Sequence, residues 1–184
     1  MKSNVNFVFN LSTGVKGESR QSQVPALLEM LGIPYVGSGV LAHGMALNKA
    51  VAKKLFRFHN VPTAYFQEFY TGEEKLDPNL KFPAIVKPAC EGSGFGIHKD
   101  SLVYKEKDLY KKVVSLLKDY QPPALAEEYI DGREFTVGII GNGNEKTVLP
   151  ILEIDFGNVT REYDKFNTFE SKHGQGGQKR FYCP

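Results

Sequence analysis

Apolar and polar residues follow each other along this chain in two spacings, one typical of strands and one typical of helices. Alternation over residues 4–10 predicts a strand, and helical spacing predicts helices over residues 24–31, 46–59 and 104–120. Shorter apolar runs predict further strands, which we place within residues 33–40 and over residues 65–69, 82–86, 97–99, 124–130, 134–140 and 147–154, with a hairpin turn at 142–144. The pattern therefore predicts an α/β fold whose later part is rich in strands, an α+β arrangement.

The composition narrows the classes of function. The chain has 184 residues, of which 41% are hydrophobic, and its formal net charge is +2. This balance is typical of a globular protein and lacks the basic bias of a dedicated nucleic-acid binder. No apolar run reaches the length of a signal peptide or a membrane span, so we expect no membrane partner. Cys90 and Cys183 form no CxxC pair, which favours two free thiols in a reducing cytoplasm over a structural disulfide.

The most informative segment is KFPAIVKPACEGSGFGIHK, in which Lys87 lies at the end of a predicted strand and a glycine-rich loop follows it. Glycines let backbone N–H groups approach a phosphate closely, and Lys87 and the Ser93 hydroxyl would add further donors. A P-loop carries its lysine after the glycines, and a dinucleotide fingerprint opens a helix, so neither fits. The segment therefore predicts a flap over a nucleotide, with a plain hairpin turn as the open alternative.

Six segments in order carry a family resemblance: LLEMLGIPYVGSG, LNKAVAKKLFRFHNVPTAYF, FPAIVKPACEGSGFGI, LAEEYIDGREFTVGIIG, VLPILEIDF and FYCP. Together they resemble the D-alanine–D-alanine ligase branch of the ATP-grasp family. The resemblance implies an incomplete ATP-grasp fold and an ATP-dependent carboxylate–amine ligase acting through an acylphosphate. It also implies ATP and Mg²⁺ as cofactors, a small amino-acid or carboxylate substrate, and a homodimer when the protein is full length.

The same resemblance implies roles for individual residues. Lys49, Lys87 and Ser93 match family residues that contact the ATP phosphates, while Gly94 stands where the family often has serine. Lys172 matches the lysine of a mobile loop that closes on the γ-phosphate. Glu18 matches a family acid before the first helix, and Lys172, Ser93 and Glu18 are the expected catalytic residues.

The segment LAEEYIDGREF, residues 125–135, resembles the family's hinge, and we call it the hinge segment. Glu127 would accept a hydrogen bond from the adenine amino group, and Glu134 would bind the ribose hydroxyls, which suits carboxylate acceptors. Backbone groups of Glu128, Tyr129 and Ile130 would pair with the purine edge. The open alternative is that these acids are ordinary exposed strand residues.

The resemblance also fails in places that bear on function. Thr13 stands where the family has a histidine, and His173 where it commonly has tyrosine, so the identity of the substrate stays open. The family's magnesium-binding acids and asparagine would follow Pro184, so we expect no metal ligands in this chain and little activity from it alone.

We therefore predict three units. Residues 1–62 would form a partial N-terminal α/β region with linking helices, residues 63–141 the small ATP-binding lobe with the glycine loop and hinge, and residues 142–184 the truncated start of the C-terminal lobe with its mobile loop. Two other functions stay open: a nucleotide-binding module without catalysis, and an ATP-grasp ligase for a different amino acid or peptide.

Overall fold

The fold is described from a computed structural model and covers residues 5–157, 168–169 and 179–183. Four α-helices lie in these ranges: α1 Gln23–Met30, α2 Val40–Leu47, α3 Lys49–Phe58 and α4 Glu106–Asp119. The strands are β1 Val8–Phe9, β2 Tyr35–Val36, β3 Phe66–Phe69, β4 Ala84–Pro88, β5 Leu102–Val103, β6 Ala124–Glu128, β7 Glu134–Thr136, β8 Ile139–Ile140, β9 Thr147–Val148, β10 Leu152–Asp155 and β11 Arg180–Tyr182. None of the helices in the described ranges is long and apolar enough to span a membrane.

A four-stranded antiparallel sheet in the order β3-β6-β4-β5 is the centre of the molecule. Helix α4 packs on it and buries Leu109, Val113 and Leu116, which recur at the helical spacing of one face. Together with Phe69 and Val86 of the sheet they form the main core. Burying side chains of this size contributes about 1.5–3 kcal/mol each, so this layer of helix on sheet holds the sheet in place.

The N-terminal region pairs β1 with β2 in parallel and contains three helices, of which α2 contacts both α1 and α3. The single helix predicted over residues 46–59 is wrong, because the structure has α2 and α3 with a break at Asn48. The Asn48 side chain accepts hydrogen bonds from the backbone N–H groups of Ala50 and Val51, and such a cap starts a new helix. The buried residues of α3 are Ala50 and Lys53, while Phe58 is 79% exposed.

Three predicted strands also differ from the structure, those over residues 97–99, 134–140 and 147–154. The last divides into β9 and β10, which lie in separate sheets. Residues 97–99 are not a strand, because Gly94 and Gly96 take positive φ angles and Lys99–Ser101 is a short 3-10 helix. The returning strand is β5, which pairs antiparallel with β4. The strand predicted over residues 134–140 divides into β7, which joins β10 and β11, and β8, which forms a hairpin with β9.

The hairpin turn predicted at residues 142–144 is confirmed by the β8–β9 pairing. Strand β7 lies in the predicted second unit and pairs with β10 of the predicted third unit. The boundaries at residues 62 and 141 stay predictions.

Candidate functional site

One carboxylate, that of Glu127, lies between two lysines at the centre of the molecule. In the β4–β6 pairing Ile85 stands opposite Glu127, and Lys87 lies two residues further along the same face of β4. The Lys87 ammonium donates to Oε1 of Glu127, while the ammonium of Lys53, from α3, lies 2.9 Å from Oε2. The sheet and α3 thus build a partly buried triad with two cations and one anion.

The electrostatics of Glu127 follow from this geometry. Burial raises the pKa of its carboxyl, but the charges and hydrogen bonds of Lys87 and Lys53 outweigh burial, so the pKa lies below its ordinary value. Glu127 is therefore ionised at neutral pH. The triad keeps one net positive charge next to the glycine loop.

Lys49 adds a second positive charge beside the triad. It is the first residue of α3, and its backbone N–H donates to the carbonyl of Ala89 over 3.0 Å. Its ammonium donates to the carbonyls of Pro88 and Ala89, each over 3.3 Å, and to the carbonyl of Glu91. Burial, and then repulsion by Lys87, lower the pKa of Lys49 from 10.5 to about 8.

The glycine loop, residues 91–96, follows Lys87 in the sequence and contacts residues 168 and 169. Ser93 is exposed and takes a left-handed backbone, with φ +52°, which few residues other than glycine adopt. Gly94 is buried against the backbone of Thr168 and Phe169, and the ring of Phe95 lies 5.3 Å from that of Phe169. The loop therefore contacts residues just before Lys172, a contact that the sequence pattern did not predict.

A cleft of about 490 Å³ lies between the glycine loop and the segment before α1. Glu18 lines it and is exposed, and its charge helps burial to raise the pKa of the Cys90 thiol. Arg20 closes one wall, with Nη2 2.8 Å from Oε2 of Glu91 and Nη1 donating to the carbonyl of Cys90 over 3.0 Å. The structure thus brings Glu18 to the start of the glycine loop, and its catalytic role stays a prediction.

The hinge segment leaves β6 at Glu128 and enters β7 at Glu134. The N–H of Glu128 donates to the carbonyl of Tyr65, and that of Tyr129 donates to the carbonyl of Pro83, each over 2.9 Å. These two N–H groups are thus engaged within the protein, and contact with a purine through them would require both bonds to break. The pairing of Glu128, Tyr129 and Ile130 with the purine edge stays a prediction.

Two further predicted residues are placed less completely. Glu134 is half-buried in the sheet of β7, opposite Ile154 of β10, and its ribose contact stays a prediction. Lys172 lies outside the described residues. Within residues 5–157, 168–169 and 179–183, no group of three or more His, Cys, Asp or Glu side chains is arranged to hold a metal ion. Cys90 and Cys183 are free thiols.

Comparison with known proteins assigns a family to this arrangement. The family model described as "D-ala D-ala ligase C-terminus" matches residues 55–184, more than half of the chain. The chain belongs to the D-alanine–D-alanine ligase family. The family predicted from the six sequence segments is therefore confirmed.

The relatives in this family extend beyond the segment that matches this chain. An uncharacterised protein, y4sG of Sinorhizobium fredii, is 41% identical over 178 residues, which are 96% of this chain and 50% of that protein. A D-alanine–D-alanine ligase of Ralstonia nicotianae is 37% identical over 153 residues, 82% of this chain and 45% of that protein. The chain thus spans about half the length of the curated relatives it matches.

Solved structures confirm the predicted mixed α/β class. The D-alanine–D-alanine ligase of Bacillus anthracis superposes with a TM-score of 0.69 at 26% identity, over 99% of this chain and 55% of that one. The same enzyme complexed with ATP gives a TM-score of 0.67 at 26% identity, over 97% of this chain and 52% of that one. A VanG D-Ala:D-Ser ligase of Enterococcus faecalis shares the fold, with a TM-score of 0.73 at 24% identity over 97% of this chain and 50% of that one.

The structure adds two residues that sequence reasoning did not single out. Lys53 was indistinguishable from its neighbour Lys54, yet it is buried while the side chain of Lys54 is 57% exposed. The spacing held a signal, because Lys53 lies four residues after Lys49 and so shares its face of α3. Arg20 carried no such signal, since its partner Glu91 lies 71 residues away in the chain.

Proposed function

We propose that this chain is the ATP-binding part of an ATP-dependent carboxylate–amine ligase that acts through an acylphosphate. The observation that carries the proposal is that Lys87 and Lys53 contact an ionised Glu127 while the ammonium of Lys49 lies on the carbonyl of Glu91, at the glycine loop. Such a cluster suits a polyphosphate, because ammonium groups and glycine-loop amides both favour anions. The family relation and the likeness to a ligase complexed with ATP support the same reading.

Each residue would have a distinct task. Lys87 and Lys49 would contact phosphate oxygens, and Ser93 and the Gly94 amide would cover them from the loop. Glu127, Ile130 and Glu134 would hold the base and the ribose through acceptors of the hinge segment. Lys172 would meet the transferred phosphoryl group, and Glu18 would act on the substrate side of the cleft. The Mg²⁺ that accompanies ATP would neutralise phosphate charge.

The proposed chemistry has two steps. A carboxylate oxygen of the first substrate attacks the γ-phosphorus, and the bond to the β-phosphate oxygen breaks to release ADP. An amine then attacks the acyl carbon, loses a proton, and expels inorganic phosphate to leave an amide. We propose that the substrate with the carboxylate is a small amino acid. We also propose that the whole protein is a homodimer and acts in the cytoplasm. Thr13 in place of the family histidine leaves the choice of amino acid open.

Nucleotide binding to the 184-residue chain tests the proposal. Removal of the Lys87 ammonium deletes a charge-assisted contact to phosphate, so the variant K87A should bind ATP about tenfold or more weakly in isothermal calorimetry. The matched control is K105A, because Lys105 is 69% exposed and lies at the start of α4. No binding of millimolar ATP by the wild type, or equal affinity of wild type and K87A, would contradict the proposal.

A further inference from the structure

The two lysines on Glu127 differ in how firmly they are held. The Lys53 ammonium donates to Oγ1 of Thr63 over 2.8 Å, lies 2.9 Å from Glu127, and lies 5.4 Å from the centre of the Phe66 ring. Its side chain is only 10% exposed. Moving the Lys53 ammonium would break all of these contacts at once, so they hold it in place.

Lys87 is held by less. Within the described part of the chain, its ammonium has Glu127 as its single hydrogen-bond partner. It is the last residue but one of β4, with three residues between it and the glycine loop. Lys87 is therefore the lysine that can turn towards a phosphate, and such a turn removes one of the two cations from Glu127.

A buried carboxylate that loses its partners is strongly destabilised, because little water remains to solvate it. When Lys87 moves to a phosphate, Lys53 is the cation that stays on Glu127. We infer that Lys53 is a positioning residue of the nucleotide site, which holds Glu127 ionised and in place while Lys87 leaves for the phosphates. This inference rests on the proposed function, and it assigns to Lys53 no contact with the nucleotide.

The variant K53M tests the inference, because methionine keeps the apolar stem and removes the ammonium. ATP affinity, measured by calorimetry on the 184-residue chain, should fall about tenfold in K53M. The matched control is K54M, which alters the exposed neighbour on the same helix, paired with Glu68 at 2.5 Å. K54M should bind ATP as the wild type does.

A double-mutant cycle with E127Q separates positioning from mere stabilisation of the fold. If Lys53 acts through Glu127, adding K53M to E127Q should change ATP affinity by less than about twofold. Equal losses in both backgrounds, or a K53M affinity equal to that of K54M, would overturn the inference.

If circular dichroism shows K53M unfolded, T63V replaces it, since that change removes only the hydroxyl that orients Lys53. T63V alone must then weaken ATP binding, whereas adding T63V to E127Q must change the ATP affinity by less than about twofold. Failure of the wild type to bind ATP would instead refute the proposed function, and this inference with it.

Discussion

At the scale of residues, the site depends on charges that the fold places against each other. That Lys87 and Glu127 belong to one site could be predicted from the sequence, because each lies in a recognisable motif. Their direct contact could not, since it depends on the β4–β6 register that sets Ile85 opposite Glu127. The contact of Lys53 with Glu127 could not be predicted either, because burial, which no motif encodes, is what separates Lys53 from Lys54.

The pKa of Lys49 makes nucleotide binding depend on pH. Its pKa is lowered to about 8 by burial and by Lys87, and a bound polyphosphate would raise it again by supplying negative charge. Binding at pH 8 should therefore take up about half a proton, and ATP affinity should fall as pH rises above 8. Calorimetry in buffers of different ionisation enthalpy measures this uptake, which should vanish in K49M. An uptake unchanged in K49M would assign the proton to another group.

Glu74 anchors the turn after β3. Its carboxylate accepts hydrogen bonds from the backbone N–H groups of Tyr70, Thr71 and Gly72, at 2.7, 2.9 and 2.9 Å. Although burial raises the pKa of this carboxyl, these bonds and the backbone N–H of Glu74 itself outweigh burial and lower the pKa from 4.5 to about 2.

The variant E74Q should therefore lower the free energy of unfolding at pH 7 by about 1 kcal/mol, a modest figure because water partly screens the site. A lowered carboxyl pKa contributes stability above the unfolded value of about 4.5, and this contribution disappears as pH falls towards 2. In urea denaturation across this pH range, the difference in free energy of unfolding between wild type and E74Q should shrink as pH falls. The control is E73Q, which changes an exposed neighbour and should unfold as the wild type does. A difference that stays constant down to pH 2 would contradict this account.

At the scale of elements, uninterrupted periodicity predicted α1, α4, β3 and β6, and local backbone chemistry caused the errors elsewhere. Helix α4 lies within the predicted residues 104–120, because its apolar spacing is uninterrupted. The break at Asn48 was missed because the apolar pattern runs straight through it, while the side-chain cap that creates it depends on backbone conformation. The glycine loop hid the true position of β5, since its positive φ angles displaced the returning strand by several residues.

The contact between the glycine loop and residues 168–169 gives a prediction for this element. A Cβ on Gly94 would lie 3.1 Å from the backbone nitrogen of Phe169, tighter than ordinary contact, and φ at Gly94 is +81°. The variant G94A should therefore lower the free energy of unfolding by about 2 kcal/mol, through strain and displacement of the two segments. G32A is the matched control, because Gly32 also has a positive φ, +64°, but open space around its Cβ position. Equal losses in urea denaturation of G94A and G32A would show that the contact with Phe169 is unimportant.

At the scale of the whole molecule, the sequence predicted the family correctly and left the substrate open. The family was predicted from six segments spread along the chain, and a resemblance over so many segments does not depend on any single residue. The substrate stays open because Thr13 stands where the sequence pattern of the family has a histidine. The cleft beside Glu18 and Arg20 depends on contacts between distant segments, because Arg20 pairs with Glu91 across it.

The most direct test is a crystal structure of the chain with a non-hydrolysable ATP analogue. The account predicts the triphosphate under the glycine loop, with the Lys87 ammonium moved from Glu127 to a phosphate oxygen and Lys53 still on Glu127. A nucleotide bound elsewhere, or phosphates under the loop with Lys87 still paired to Glu127, would contradict it.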